Sequence, residues 1–260
     1  MGRKSLRRDT NPWGRFKVDV ITLIIEALRT LRTRTDLVRD EKKLNRLLSF
    51  CFVEANAHLK MNYLPAYEAK NSPHPEDKEK TRREDQIPDF SWNIMDHTAS
   101  YPHWQRNFAL ECKWLGQETS KNWVLTEQYV MAGMLRFFLA EKGYGKGCEV
   151  GAMVGYMQDM EFDEILQEVN SHISQCSIHI PQLIAPVYEW QVQDVSYILH
   201  SSLKRMFIPE EFALHHFWLD MRGCIFSPEE VQEKTNLLLS KNIPNDSVIE
   251  KMQEALPPTP

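Results

Sequence analysis

Two short stretches of this chain alternate apolar and polar residues with a period of two. Such a pattern can bury its apolar side only as a strand with one face against a core. In 89–94, Phe90, Trp92 and Ile94 fall on one side, and Asp89, Ser91 and Asn93 on the other. In 108–114, Phe108, Leu110, Cys112 and Trp114 share one face, and Ala109, Glu111 and Lys113 the opposite one. The alternation predicts two half-buried strands. Residues 95–107, with His97 and His103 among them, connect them as a loop or a wide hairpin.

Around this pair the pattern changes to that of helices. Residues 1–16 are Arg-rich, contain Pro12 and Gly14, and read as a flexible arm. Apolar residues at helical spacing over 18–31 predict a first helix. A second helix is expected from a cap at Asp36 to about His58, burying Leu37, Leu44, Leu47, Leu48, Cys51 and Phe52. Residues 61–67 suggest a strand weakened by Pro65. Residues 68–86 carry two prolines, dense charge of both signs and no large apolar residue, which predicts an exposed loop. Residues 123–141 read as a helix stopped by Gly143-Tyr144-Gly145. Residues 149–157 read as a buried strand and 162–173 as an amphipathic helix. Further on, the pattern suggests a strand near 183–190, helices near 194–206 and 229–239, and a proline-rich tail at 256–260.

The chain has 260 residues, 42% hydrophobic and 26% charged. That composition excludes collagen-like, mucin-like and wholly disordered chains, and the length is enough for a sizeable core. The apolar run near the start is interrupted by Asp19, Glu26 and Arg29, so it predicts neither a membrane span nor a secretion signal. Met1-Gly2 resembles a myristoylation start, but Leu6 stands where Ser or Thr is required. Five scattered cysteines without a CxxC pair argue against a disulfide framework or a zinc knuckle, and point to free thiols in a reducing cytoplasm. Net charge is −5, unevenly spread: residues 1–60 hold 14 Lys and Arg against 7 Asp and Glu. A basic front end can follow a phosphate backbone or simply solvate two amphipathic helices.

If the two alternating strands are neighbours, Asp89 and Glu111 converge beside Lys113. Two close carboxylates repel, and a divalent cation relieves the repulsion by coordinating both. Such a cation acidifies water and neutralises charge on a phosphoryl transition state. A lysine beside it can orient the attacking water. The alternative is an exposed cross-strand ion pair on a solvated sheet face.

These residues, Pro88-Asp89 and Glu111-Cys112-Lys113, resemble the motif of the PD-(D/E)XK nuclease superfamily, whose members share a restriction-endonuclease-like fold. The likeness extends to element order over roughly residues 37–157. It implies an α/β fold with a central mixed sheet flanked by helices, and extra helical elements at both ends. The division it suggests is a basic arm and helix at 1–36, a nuclease core at 37–160, an elaboration packed on that core at 161–255, and a tail. Asp89, Glu111 and the Cys112 carbonyl would hold Mg²⁺ (or Mn²⁺), and Lys113 would assist the water. Many members add a glutamate from the first core helix. Glu41 fits that place, with Glu54 as competitor. Arg136, Lys121 and Tyr129, on or before the helix after the second strand, would bind substrate. The implied activity is DNA cleavage in the cytoplasm, as the cleaving subunit of a prokaryotic restriction, anti-phage defence or mobile-element system. The partners implied are DNA, an ATPase or other defence-system subunit, and a second copy of the chain, with no membrane. A non-catalytic DNA-binding or assembly protein on the same fold is the rival, and RNA as substrate would need the same chemistry.

Other [DE]xK triplets, such as Asp40-Glu41-Lys42 and Glu76-Asp77-Lys78, do not sit on alternating segments. The QxxxY pattern of one branch is absent, since Ala132 stands four residues after Gln128. Asp96, His97 and His103 match no common zinc spacing. His215-His216 reads as a packed helix end, and the Gly143–Gly147 stretch lacks a phosphate-loop frame.

Overall fold

The computed structural model describes residues 12–34, 37–100, 104–117, 123–185, 197–205, 207 and 209–226. Two helices come first. α1 (Pro12–Arg32) buries Phe16, Val20, Leu23, Ala27 and Leu31 along one stripe. It begins at Pro12, so residues 12–16 are helical rather than part of a loose arm; Pro12 has the fixed φ suited to a first turn. After β1 (Leu37–Val38), α2 (Glu41–Leu59) is capped by the Asp40 side chain, which accepts the Lys43 N–H at 3.1 Å. The expected start at Asp36 therefore moves to Asp40, because Leu37 and Val38 pair in parallel with β8 (Ile225–Phe226) instead of entering the helix. Asp36 itself lies outside the described residues.

The main sheet has six strands in the order β2-β3-β4-β5-β7-β6. They are β2 (Ala66–Tyr67), β3 (Phe90–Met95), β4 (Gln105–Leu115), β5 (Val150–Met157), β6 (Tyr197–Lys204) and β7 (Glu211–Asp220). β4, β5 and β7 run parallel, while β3 and β6 are antiparallel to their neighbours. The elaboration after residue 160 thus contributes two strands to the sheet. The helix expected near 194–206 is a strand over 197–204, and His215-His216 lies within β7 rather than at a helix end. Of the strand expected over 61–67, two residues pair. Residues 183–185 carry no regular structure, and the helix at 229–239 and the tail fall outside the described residues.

Helices cover both faces of the sheet. One core joins α1 and α2 to Phe90, Trp92, Phe108, Leu110, Val154 and Phe217. The other joins α3 (Leu125–Gln128), its helical continuation and α4 (Phe162–Gln175) to Ala109, Leu115, Met153, Leu214 and Trp218. The polar side of the alternating strands is consequently covered as well: Ser91 is buried and Glu111 is 1% exposed. β5 is buried at every position, as a central parallel strand requires.

The charged segment 68–86 is not solvated throughout. Asn71, His74 and Arg83 are buried. Arg83 bonds the Ser72 carbonyl at 2.7 Å and Asp77 at 3.1 Å, and Asp77 also pairs with Lys146 of the glycine-rich turn. That turn is clamped from its other side by Arg205. The Arg205 guanidinium donates to the carbonyls of Tyr144, Gly145, Cys148 and Pro209 at 2.8 to 3.3 Å. It lies 4.0 Å from the Phe212 ring centre and 4.3 Å from that of Phe207. Burial pulls its pKa down to about 9.

Arg205→Met keeps the volume and removes the donors, leaving buried carbonyls unpaired. It should cost about 3 kcal/mol of stability, read from urea unfolding. A midpoint equal to that of the parent would show that the turn holds its shape without the clamp.

Candidate functional site

The register of β3 and β4 sets Phe90 opposite Leu110. One further step puts Asp89, just before β3, across from Glu111. β4 runs on to Leu115, so the ladder stops while the longer strand continues. A residue in a strand turns its N–H and C=O to the same side, and those of Cys112 turn to the edge where the ladder has ended. Both groups need partners there. The N–H donates to Asp89 Oδ2 at 2.7 Å, and the carbonyl accepts from Lys113 Nζ at 2.8 Å.

The Lys113 ammonium lies 2.9 Å from Glu41 Oε1 and 3.2 Å from Glu111 Oε1. Glu41 stands in the first turn of α2, where the helix dipole favours a negative charge. Arg136 reaches the same Glu111 Oε1 at 2.8 Å and also donates to the Tyr144 hydroxyl at 2.9 Å. Glu111 Oε2 is buried with no hydrogen-bond partner. The cluster opens to solvent on the side of Glu41 and Arg136, whose side chains are 32% and 30% exposed.

Local backbone explains how Arg136 arrives. After α3 the chain makes a π-helical turn (Tyr129–Gly133) and then a 3₁₀ turn (Met134–Phe137). Gly133 lies at the junction. A Cβ there would stand 2.4 Å from Met153 Cε, the mobile end of a flexible side chain, and 3.4 Å from Lys113 Cγ, so this turn packs directly against β5 and β4 beside Lys113. A lone glycine inside the helical run YVMAGMLRF is the sequence sign of this close approach.

Burial, reinforced by the facing Asp89, pushes the Glu111 carboxyl up to about 8, against the pull of Lys113 and Arg136. Burial raises Asp89 to about 6, with Glu41 adding to it, while Lys113, the Cys112 N–H and Arg136 oppose. Burial works against the charge on Lys113, but Glu111, Glu41 and Asp89 outweigh it and hold its pKa above the usual value. Burial likewise disfavours charged Arg136, and Glu111 and Tyr144 reverse the balance. The Cys112 thiol is driven well upward by burial and points into the opposite core, so it is not a reactive thiolate.

The structure thus gathers Asp89, Glu111, Cys112, Lys113, Glu41 and Arg136. Arg136 pairs with Glu111, which sequence reasoning did not foresee, and Tyr144 as its second partner was missed. Tyr129 shares no hydrogen bond with the cluster. It is fully buried, its hydroxyl lies 2.8 Å from His216 Nδ1, and it accepts from Trp218 Nε1 at 3.0 Å. No polar group of Tyr129 is left for a substrate. Lys121 lies outside the described residues, as does His103. Asp96 serves the fold, accepting from Thr98 and pairing with Arg106 at 3.2 Å. Glu54 pairs with Arg34 at 2.6 Å on the exposed side of α2.

The groups of this cluster able to ligate a cation, the Asp89, Glu111 and Glu41 carboxylates and the Cys112 carbonyl, offer oxygens, the preference of a hard divalent cation. Among the described residues no group of three or more His, Cys, Asp or Glu side chains is gathered as a metal cluster. Magnesium typically takes one or two carboxylates and keeps several waters, so Asp89, Glu111 and the Cys112 carbonyl form a fitting set. Glu111 Oε2, buried and without a hydrogen-bond partner, is the carboxylate oxygen left for such a cation. The chain matches no protein-family model, no curated protein and no solved structure. Among the described residues no helix is long and apolar enough to cross a membrane.

Glu111 has a higher pKa folded than its ordinary value of 4.5. Between that value and about 8 the folded protein holds a proton that the unfolded chain has released. Stability without metal should therefore fall as pH rises through this window, by up to roughly 1.4 kcal/mol per pH unit. Glu111→Gln should flatten the slope in urea unfolding measured at several pH values. Equal slopes in the two proteins would mean that Glu111 is ionised in the fold throughout.

Proposed function

We propose that this chain is a metal-dependent DNA endonuclease with a restriction-endonuclease-like fold. The observation that carries the reading is the juxtaposition made by the β3–β4 register: Asp89 across from Glu111, with the Lys113 ammonium held at their edge by Glu41. The order α2, β2, β3, β4, α3, β5 agrees with the element order of that fold. Burial of Glu111 also argues against a solvated cross-strand pair, since a buried carboxylate needs compensation that a surface pair does not.

Asp89, Glu111 and the Cys112 carbonyl would hold Mg²⁺ or Mn²⁺. A divalent cation there supplies Lewis acidity toward a phosphoryl oxygen and lowers the pKa of water. Lys113 orients the attacking water and adds positive charge where the phosphoryl oxygens gather negative charge. Glu41 fixes the ammonium by its ion pair, at the exposed mouth through which a backbone phosphate can approach. Arg136, also at the mouth, is the residue placed to meet that phosphate. We assign the chain to the cytoplasm of a prokaryote, as a cleaving subunit in restriction, defence or mobile-element chemistry. It would work with an ATPase or similar subunit, and as a dimer where both strands are cut.

One observation favours a second reading, a non-catalytic DNA-binding or assembly protein. Here Lys113 and Arg136 both pair with Glu111, and Asp89 is tied to a backbone N–H. A closed set of ion pairs of this kind can serve the fold alone.

Plasmid, single-stranded DNA and RNA, incubated with the purified chain in Mg²⁺ or Mn²⁺ and in EDTA, separate the two. The nuclease reading expects metal-dependent DNA cleavage, reduced about 100-fold or more in Lys113→Ala and Asp89→Asn. Mn²⁺ should also raise the melting temperature of the parent and not of Asp89→Asn. A folded parent that neither cleaves nor binds Mn²⁺ overturns this reading in favour of the second.

A further inference from the structure

Two cations share one oxygen of Glu111, and they are not equivalent. Lys113 has other acceptors, Glu41 at 2.9 Å and the Cys112 carbonyl at 2.8 Å. Arg136 has Glu111 at 2.8 Å and, at 2.9 Å, the neutral hydroxyl of Tyr144, over whose ring it lies 5.6 Å from the centre. When a divalent cation takes the charge of Glu111, Lys113 keeps an anion and Arg136 does not. A guanidinium also repels a divalent cation bound to the same carboxylate. Arg136 sits at the mouth of the cluster, and a guanidinium fork pairs readily with phosphate oxygens. Its root is steady, because Tyr144 belongs to the turn whose carbonyls Arg205 clamps.

On the reading of the site as a metal-dependent nuclease, we propose that Arg136 is a resident counter-ion. It is seated on the Glu111 carboxyl group while the site holds no divalent cation, and it turns to the phosphodiester when one enters. Metal and phosphodiester then bind with positive cooperativity, carried by this one side chain with Tyr144 as its pivot. By linkage, each tightens the other by the same factor.

The test is calorimetric titration of Mn²⁺ into the intact chain, alone and with a short phosphorothioate DNA duplex that resists cleavage. Parent, Arg136→Gln and Tyr144→Phe are compared, with thermal melts to establish that each is folded. In the parent the duplex should tighten Mn²⁺ binding about tenfold. Arg136→Gln should bind Mn²⁺ about tenfold more tightly than the parent without DNA, and gain almost nothing from the duplex. Tyr144→Phe should keep the parent affinity without DNA and lose much of the duplex effect. Arg136→Gln binding Mn²⁺ no more tightly than the parent, or keeping the full duplex effect, overturns the proposal. If Arg136→Gln does not fold, an unchanged duplex effect in Tyr144→Phe overturns it equally. A parent that binds no Mn²⁺ overturns the metal site and this proposal together; Mn²⁺ binding indifferent to Arg136 overturns this proposal alone.

Discussion

A carboxylate taken out of water must find compensation nearby, and Glu111 sets the terms for everything around it. With 1% of its surface exposed, it draws a lysine from its own strand and an arginine from the turn after α3. Those cations then need places of their own. Lys113 is completed by Glu41 at the head of α2, and Arg136 by Tyr144 on the glycine-rich turn. Elements from both faces of the sheet are in this way tied to one strand edge. Gly133 lies where the helical segment carrying Arg136 meets the strands, and Arg205 keeps the turn that carries Tyr144 in place. Single buried residues far apart in sequence thereby shape a cluster that one side chain made necessary.

The edge itself exists because β4 outruns β3. Had the two strands been equally long, the Cys112 peptide would have been closed into a ladder, and neither Asp89 nor Lys113 would have found it free. An interrupted ladder is costly unless other groups take over its hydrogen bonds. Here a carboxylate takes the N–H and an ammonium takes the carbonyl. The functional groups of the cluster thus double as the cap of an unfinished strand pair.

Much of this could be read from the residues. Period-two alternation located β3 and β4 and placed Asp89, Glu111 and Lys113 on one side, because alternation is a direct print of the pleat. Helical spacing located α1, α2 and α4 for the same reason. Other parts left no such print. β7 is buried on both faces only over His216–Leu219, while its first half alternates exposed and buried, so its apolar run carries no single period. β6 is a strand where the sequence suggests a helix, because its residues mix apolar and polar without either period. Charge density in 68–86 suggests solvent, yet Arg83 is buried and Asp77 half-buried, paired with each other, and Asp77 pairs also with Lys146. Pairing across distant segments is a tertiary fact, and composition does not carry it. The meeting of Arg136 with Glu111 belongs to the same class, since it depends on a π-helical turn that no propensity announces.

The small parallel pair of β1 and β8 bears on how the cluster comes into being. Leu37 and Val38 lie a few residues ahead of Asp40 and Glu41, and their strand partners are Ile225 and Phe226. During synthesis those partners leave the ribosome only after every strand of the main sheet has been made. The segment leading into α2 therefore waits for its last hydrogen bonds until almost the whole described chain is available. Asp89, Glu111 and Lys113 can assemble earlier, as the β3–β4 hairpin closes. The β1–β8 pair thus closes only when the two ends of the described chain meet, long after the residues that bear Asp89, Glu111 and Lys113 have been made.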